Sequence, residues 1–198
     1  MKELINYTLA DEMKAAPQKQ KVKLLFEFME DHGQSFYDEL VTQLEHALQC
    51  AALAMNNDAC DTLITSALLH DIGHLILDEH NADVAFLDTD LNHEEIGAEY
   101  LKPFFSDTVT TPIRLHVPAK RYLCAIDSTY YDDLSDASKK SLRLQGGPMS
   151  DKERNAFEQI QYYQHAVTLR KWDDCAKIKG LETSTIHIYK EIVQRCLL

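Results

Sequence analysis

The sequence predicts an all-α protein. Its 198 residues include only six glycines and five prolines, the residues that most often break helices. Apolar residues recur at spacings of three and four along much of the chain, whereas alternating strand-like runs are scarce. A bundle of amphipathic helices accounts for both observations, and the length fits about one domain, so we expect a single domain over residues 1–198.

Helical periodicity predicts three helices in the first part of the chain. The first covers residues 19–30 and ends at His32-Gly33. The second runs over residues 37–54. The third covers residues 59–76 and is apolar almost throughout, so we expect it at the centre of the bundle.

Capping residues predict where two further helices begin. Asn92 and Glu95 have the spacing of a capping box at the start of "NHEEIGAEYL". In "TTPIRLHV", Thr111 is the expected cap and Pro112 the expected first helical residue.

The last third of the chain mixes turn residues with helical patterns. Residues 131–155 combine charge and turn formers, so we expect loops there and a break at Gly146-Gly147-Pro148. Helical patterns resume over residues 155–174 and again in a C-terminal helix over about 184–197, which Ser184 or Thr185 would cap.

Composition and charge argue against several classes of function. A net charge of -12 opposes binding to nucleic acid, which depends on many contacts to phosphates. No apolar run approaches the roughly 18 to 20 residues of a membrane span and no N-terminal signal pattern is visible, so we expect no membrane association and a cytoplasmic location. Five cysteines without CxxC spacing predict neither a disulfide framework nor a zinc knuckle.

The stretch "ALLHDIGH" places polar residues in an apolar helix. On a continuous helix His70 and His74 share one face, and Asp71 is rotated by about 100° from His70. An unpaired buried polar group costs about 1 to 3 kcal/mol, so either a metal or a dense hydrogen-bond network must stabilise these residues.

Several residues extend this pattern to a metal site. One such histidine alone is more often a satisfied core residue, but the set is spread over four consecutive predicted helices: His46, His70, Asp71, His74, His93 and His116. Neutral imidazoles with a carboxylate suit iron, manganese or zinc, and a carboxylate with two oxygens is able to bridge two cations.

His46, the "HD" pair at 70 and 71, and the later histidines resemble the HD-domain superfamily, most of whose members are phosphohydrolases. Longer blocks over roughly residues 36–175 resemble one branch of it, the mixed-valent diiron oxygenases that split the carbon-phosphorus bond of 2-amino-1-hydroxyethylphosphonate with dioxygen. These blocks are "QLEHALQCA", "ALLHDIGH", "HEEIGAEYL", "HVPAKRYL", "LSDASKKSL", "QGGPM" and "LRKWDD". The resemblance implies an HD-domain helical bundle with a family-like core over about 19–178.

The resemblance also implies two iron ions, Fe(II) and Fe(III), with dioxygen as cosubstrate. One iron would be held by His46, His70, Asp71 and Asp173, and the other by Asp71, His93 and His116, so Asp71 would be the bridge. Asp173 rests on the resemblance alone, because "KWDD" by itself is typical of a solvated helix turn.

A substrate shell follows from the same resemblance. It surrounds the phosphonate with His74, Lys120, Ser138 and Arg170, of which His74 and Lys120 join Asp71 as catalytic residues. Glu39 precedes His46 by two helical turns and is expected to pair with the substrate's ammonium group.

One position departs from the family. Its members have a tyrosine three residues before this glutamate, which gates the open iron position, whereas this chain has Phe36 followed by Tyr37. Either Tyr37 takes the role or the gating differs. An aromatic face also suits a trimethylammonium group, so the N-trimethyl analogue, which yields glycine betaine instead of glycine, is a second candidate substrate.

Two other functions compete with this interpretation. A metal-dependent HD phosphohydrolase would act on a nucleotide or phosphate ester without dioxygen. A non-catalytic helical module would keep the metal for stability, although all six expected ligands are present. No obligate protein partner is predicted, and the oligomeric state is left open.

Overall fold

The computed structural model describes residues 5–36, 41–77 and 92–198. Within these ranges every regular element is helical, which confirms the all-α prediction. The helices are α1 (Thr8–Ala15), α2 (Gln18–His32), α3 (Gln43–Asn56), α4 (Asp61–Leu69), α5 (Ile72–Ile76), α6 (His93–Leu101), α7 (Asp107–Ile126), α8 (Tyr130–Asp133), α9 (Asp136–Leu144), α10 (Asp151–Phe157), α11 (Tyr163–Cys175) and, after a 3-10 turn at Ile186–Tyr189, α12 (Lys190–Cys196).

Helix α7 organises the bundle. It packs against α4, α6 and α11, while α3 lies against α4 and α11, and α12 covers α2 and α4. The main apolar core draws on residues from Leu9 to Val193. Since α3, α4, α6, α7 and α11 all border this core, polar residues on their inner faces are brought close together. None of the helices in the described ranges is long and apolar enough to cross a membrane.

Helix α3 begins later than the sequence predicts. Thr42 is extended, and its side chain accepts a hydrogen bond from the backbone of Glu45 while the Glu45 carboxylate accepts one from the Thr42 backbone. This capping box fixes the start at Gln43. The predicted start of this helix at residue 37 is therefore wrong. Tyr37 and Glu39 themselves lie outside the described residues.

The predicted third helix is interrupted at its metal motif. α4 ends at Leu69 and α5 begins at Ile72, with Asp71 at φ -101° and ψ 12° between them. Seven of the nine α4 residues are buried, as its apolar sequence predicts. His70 and His74 thus lie on opposite sides of a break rather than on one continuous helical face, which corrects the prediction.

Of the two predicted caps, Asn92 stands at the predicted start of its helix, whereas Thr111 does not. Asn92 precedes α6, but its backbone is left-handed at φ 52° and its side chain makes no capping hydrogen bond. Helix α7 starts at Asp107 after Ser106, so Thr111 and Pro112 lie inside it. The sequence misleads here because proline usually marks a first turn, whereas the buried residues Val109 and Ile113 extend the apolar face upstream and downstream of it.

Residues 131–155 are more helical than predicted. Ser135 and Ser150 cap α9 and α10 through their side chains. The helices are short and charged, so the sequence carries little apolar periodicity there. The break at Gly146 and Gly147 is confirmed, since both have positive φ. A further break at Tyr162, φ 66°, divides the stretch 155–174 that was predicted to be helical.

Candidate metal centre

Polar side chains from five helical elements meet inside the bundle. His46 comes from α3, His70 and Asp71 from the α4–α5 break, His93 and His116 from α6 and α7, and Asp173 from α11. His70 is fully buried and the others are at most 18% exposed at their side chains. These are the six ligands that the sequence predicts.

Asp71 faces both halves of the cluster. Its Oδ2 lies 3.4 Å from Nε2 of His46 and 3.3 Å from Nε2 of His70. Its Oδ1 lies 3.3 Å from Nε2 of His93 and 3.4 Å from Nε2 of His116. Each carboxylate oxygen therefore serves a different pair of histidines, the arrangement that a bridging carboxylate requires.

The imidazoles are oriented from behind. Nδ1 of His46 donates to the carbonyl of Ala176 at 2.7 Å. Nδ1 of His70 and of His116 donate to backbone carbonyls three residues earlier, at 2.9 and 2.7 Å. Hydrogen bonds of this kind fix the tautomer and turn the Nε2 lone pair inward, as in known metal sites.

The inward nitrogens are too close to be left facing each other. Nε2 of His46 and His70 are 3.1 Å apart, and those of His93 and His116 are 3.3 Å apart. At this distance either one nitrogen of each pair carries a hydrogen that it donates to the other, or a metal cation lies between them. Ligands bound at about 2.0 to 2.2 Å and roughly at right angles are about 3 Å apart, so both pairs have the spacing of neighbouring metal ligands.

Asp173 completes the first pair. Its Oδ1 lies 3.2 Å from Nε2 of His46 and 4.0 Å from Nε2 of His70. Two histidines and the shared Asp71 then surround each position, and Asp173 adds a second carboxylate at the first. Sets of two histidines and one carboxylate that leave positions open are typical of non-haem iron oxygenases.

The charges at the centre also favour a cation. Burial raises the pKa of Asp71 and of Asp173, but the charge of His70 and of Arg170 respectively outweighs it and holds both pKa values well below normal. Burial lowers the pKa of His46, yet hydrogen bonds to Asp173 and Asp71 raise it to about 10. In the metal-free protein a proton on His46 therefore occupies the place of the cation, and a metal would displace it.

His93 remains neutral, the form that binds metals. Burial, followed by the charge of His74, lowers the pKa of His93 to about 3. The His74 ring stacks on His93 with centroids 3.8 Å apart. Ligand atoms of Asp71, His74 and His93 all lie within 4.8 Å of one another, so His74 lines the second metal position. Its assignment to the substrate stays a prediction.

These features agree with similarities to known proteins. A model of the HD domain matches residues 43–154. The chain belongs to the HD-domain family. Hydroxymethylphosphonate dioxygenase of Gimesia maris is 52% identical over 198 residues, which are 100% of this chain and 98% of that protein. The glycine-betaine-forming [1-hydroxy-2-(trimethylamino)ethyl]phosphonate dioxygenase of Leisingera caerulea is 40% identical over 163 residues, 82% of each chain.

The HD-domain protein is accordingly an oxidoreductase, since both relatives are dioxygenases. Five of the six predicted ligands lie within the matched segment, and Asp173 lies beyond it. The identification as an HD-domain phosphonate dioxygenase, predicted from the sequence, is confirmed.

A cluster of buried donors lies beside Asp173. Arg170 approaches Oδ2 of Asp173 through Nη1 at 2.7 Å and reaches Oγ of Ser138 through Nη2 at 3.5 Å. Lys120 donates to Oγ of Ser141 at 2.6 Å, and that hydroxyl donates to the Ser138 carbonyl at 3.1 Å. Lys120, Ser138 and Arg170, predicted as substrate residues, are thus brought together next to the metal centre.

The pKa values of the two cations in this cluster, Lys120 and Arg170, are shifted in opposite directions. Burial, and then the charge of Arg170, lowers the pKa of Lys120 to about 7. Burial also lowers the pKa of Arg170, but Asp173 and Asp174 outweigh it, so that pKa lies well above normal. Arg170 is therefore a fixed cation, while Lys120 titrates in the neutral range.

Three residues around the cluster were not predicted. Ser141 lies three residues after Ser138, one turn along α9, so helical spacing alone could have indicated it. Asp174 binds Arg170, and the Tyr130 hydroxyl donates to Asp174. No sequence pattern brings Tyr130 to α11, because the contact is tertiary.

Phe36, a predicted substrate residue, is 64% exposed and forms an isolated bridge to Thr42 before α3.

Gly73 in α5 packs directly against the backbone of His93 at the start of α6. A Cβ atom at Gly73 would lie 2.0 Å from the carbonyl oxygen of His93. Because that neighbour is backbone, Gly73→Ala must displace the start of α6 and carry His93 away from Asp71. We expect metal binding at the His93 position to weaken about 10- to 100-fold, measured by Fe(II) titration of the metal-free protein.

Gly180→Ala is the matched control for this change. It also costs stability, since Gly180 has φ +71°, but nothing lies within 4 Å of the added carbon. Unchanged binding in Gly73→Ala, or equal weakening in both variants, would contradict the role of Gly73.

Proposed function

We propose that the protein cleaves the carbon-phosphorus bond of a 1-hydroxyalkylphosphonate with dioxygen at a mixed-valent pair of irons. The observation that carries the proposal is Asp71, whose two oxygens face two separate histidine pairs. His46, His70 and Asp173 would hold one iron and His93 and His116 the other, with Asp71 shared. When bound, the iron pair supplies the Lewis-acid and redox chemistry that dioxygen activation needs.

The buried donors have the chemistry to bind a phosphonate. Arg170 offers a permanent positive charge, Lys120 a point charge, and Ser138 a hydroxyl, all within 6% exposure. The contact between Arg170 and Asp173 connects this group to the metal centre at 2.7 Å. A phosphonate bound by these donors would lie beside the residues proposed to hold the metals, and His74 would add a donor on the side of His93.

Hydroxymethylphosphonate is the substrate that we favour. The relative named for it matches this chain along its whole length. Hydroxymethylphosphonate has no amino group and so needs no carboxylate to pair with an ammonium. This fits the described site, because Asp173 and Asp174 are both already paired with the Arg170 guanidinium. Oxidation balances as hydroxymethylphosphonic acid plus dioxygen giving formic acid plus phosphoric acid, with carbon and phosphorus gaining one oxygen atom each.

The 1-hydroxy-2-(trimethylammonio)ethylphosphonate predicted from the sequence is the second candidate. The relative from Leisingera caerulea is named for this substrate. Glu39 and the aromatic pair Phe36-Tyr37 would then receive the cationic end. The primary amine analogue would require Glu39 in the same role. We further propose that the enzyme acts in the cytoplasm on this small molecule without an obligate partner.

The experiment compares the three phosphonates with the iron-loaded enzyme. We expect dioxygen uptake to match phosphate release one to one, and NMR to identify formate from hydroxymethylphosphonate as the product formed with the highest kcat/KM. A higher kcat/KM for an amino or trimethylammonio substrate, with glycine or glycine betaine formed, would contradict the substrate assignment. Phosphate release at the same rate under strict anaerobiosis would contradict the oxygenase and support the hydrolase.

A further inference from the structure

Gln49 anchors the segment that follows α11. Its Nε2 donates to the carbonyl of Ile178 at 2.9 Å, and its Oε1 accepts from the N–H of Ile178 at 3.0 Å. One side-chain amide thus satisfies both backbone groups of a residue 129 positions away in sequence. Gln49 is only 3% exposed, so these bonds lie largely out of water.

The anchored segment holds a metal ligand from behind. The carbonyl of Ala176, two residues before Ile178, accepts the Nδ1 hydrogen of His46 at 2.7 Å. His46 and Gln49 are three residues apart on α3 and therefore lie on neighbouring positions of one helical face. His46 and Gln49 thus bind the two ends of one short backbone segment, His46 at Ala176 and Gln49 at Ile178.

The near end of this segment is held by the Ala176 N–H, which donates to the Asp173 carbonyl at 3.2 Å, and by the burial of Ala176 in the main core. The far end, at Ile178, has less to hold it. α11 ends at Cys175, so Ala176 lies outside its regular hydrogen-bonded ladder, with φ -90° and ψ 43°. The Ile178 side chain is 54% exposed, and hence apolar burial does little to hold the end of the segment. The two hydrogen bonds from Gln49 supply that restraint.

We propose that Gln49 is a positioning residue for the metal centre. By holding residues 176–178 it keeps the Ala176 carbonyl on His46 and so keeps Nε2 of His46 facing the metal position beside Asp71 and Asp173. The inference rests on the proposed two-iron site and adds to it a residue that touches neither metal nor substrate. It concerns the position held by His46, His70 and Asp173, because Nδ1 of His116 donates to the Ile113 carbonyl and His93 lies on α6.

The test uses the full-length protein, metal-free and then titrated with Fe(II). Gln49→Met keeps the side-chain length and removes both hydrogen bonds. We expect hydrogen exchange at residues 176–178 to speed up in the metal-free variant, and binding at one of the two iron positions to weaken about tenfold while the other stays unchanged. Mössbauer spectra of the loaded variant then show loss of one iron environment at limiting iron.

A second glutamine variant and a core variant complete the design. Gln49→Glu still accepts from the Ile178 N–H but turns a second oxygen toward the Ile178 carbonyl in place of the donor, so we expect exchange at residues 176–178 and iron binding to change in the same direction as in Gln49→Met. Val193→Ala removes core volume in α12, away from the centre, and is the control for lost stability. It is expected to lower the Tm without changing either iron affinity.

The outcomes separate this inference from the function it rests on. Equal iron affinities in Gln49→Met and the unmodified protein, equal weakening at both positions, or the same weakening in Val193→Ala would overturn the role of Gln49. If the unmodified protein itself binds fewer than two irons, the two-iron proposal is refuted first, and the role of Gln49 falls with it.

Discussion

Replacing Asp71 with asparagine is expected to remove the metal pair and abolish turnover. Among the residues that the structure describes, Asp71 alone has oxygens within 3.4 Å of four histidines, two on each side. Asparagine keeps the shape but has one acceptor oxygen and no charge, so at least one histidine pair loses its shared anion. Losing a residue that supports a metal ligand costs about 10- to 100-fold, and a ligand common to both positions is expected to cost more.

The measurement is iron per chain together with the rate of phosphate release. We expect fewer than two irons bound and a fall in turnover of more than about 100-fold. Asp61→Asn is the matched control, because Asp61 also loses a carboxylate but pairs with Arg195 on the surface of α4 at 2.7 Å. Two tightly bound irons and near-normal turnover in Asp71→Asn would refute the bridging role.

The clustering of His46, His70, Asp71, His93 and His116 was predictable because these residues carry their own chemical signature, whereas Asp173 was predictable only from the family resemblance. Histidine and aspartate inside apolar helical stretches are costly unless paired, and their order along the chain matches a known family. Which partner each ligand meets was not predictable from periodicity. The α4–α5 break directs His70 toward His46 and Asp173, while His74 stacks on His93. A continuous helix would have placed both histidines on one face.

Support around the ligands was the least predictable part of the site. Gln49 and Tyr130 act through contacts to residues far away in sequence, Ile178 and Asp174, which no local pattern encodes. Gly73 is different, since a glycine inside an apolar helical stretch already indicates a close backbone approach. The approach of His93 to it, however, appears only once α5 and α6 are packed together.

Lys120→Met is expected to lower kcat/KM by on the order of 100-fold, the effect of removing one charged donor to an anion in a buried site. The ammonium form of Lys120 is the one that binds a phosphonate, and burial with the charge of Arg170 lowers its pKa to about 7. kcat/KM of the unmodified enzyme should therefore fall as pH rises through about 7, because this constant reports the free enzyme. A bound dianion favours the ammonium form, so kcat should fall less. Lys120→Arg stays charged and should remove the alkaline fall.

The folding stability should depend on pH in the opposite sense to kcat/KM, so that it rises where kcat/KM falls. Since the pKa of Lys120 is depressed on folding, the unfolded chain binds more protons between about pH 7 and the usual lysine value, and stability attributable to this residue rises with pH across that window. Below about pH 7 the folded protein must bury a charged ammonium, which costs stability. Lys120→Met removes this charge and is therefore expected to stabilise the protein by about 1 to 4 kcal/mol at pH 6. Thermal unfolding at pH 6 and pH 9 measures this difference. A lower Tm in Lys120→Met at pH 6 would show that Lys120 supports the fold through its bond to Ser141, whereas a higher Tm with reduced kcat/KM would show that a costly buried charge is retained for binding the substrate.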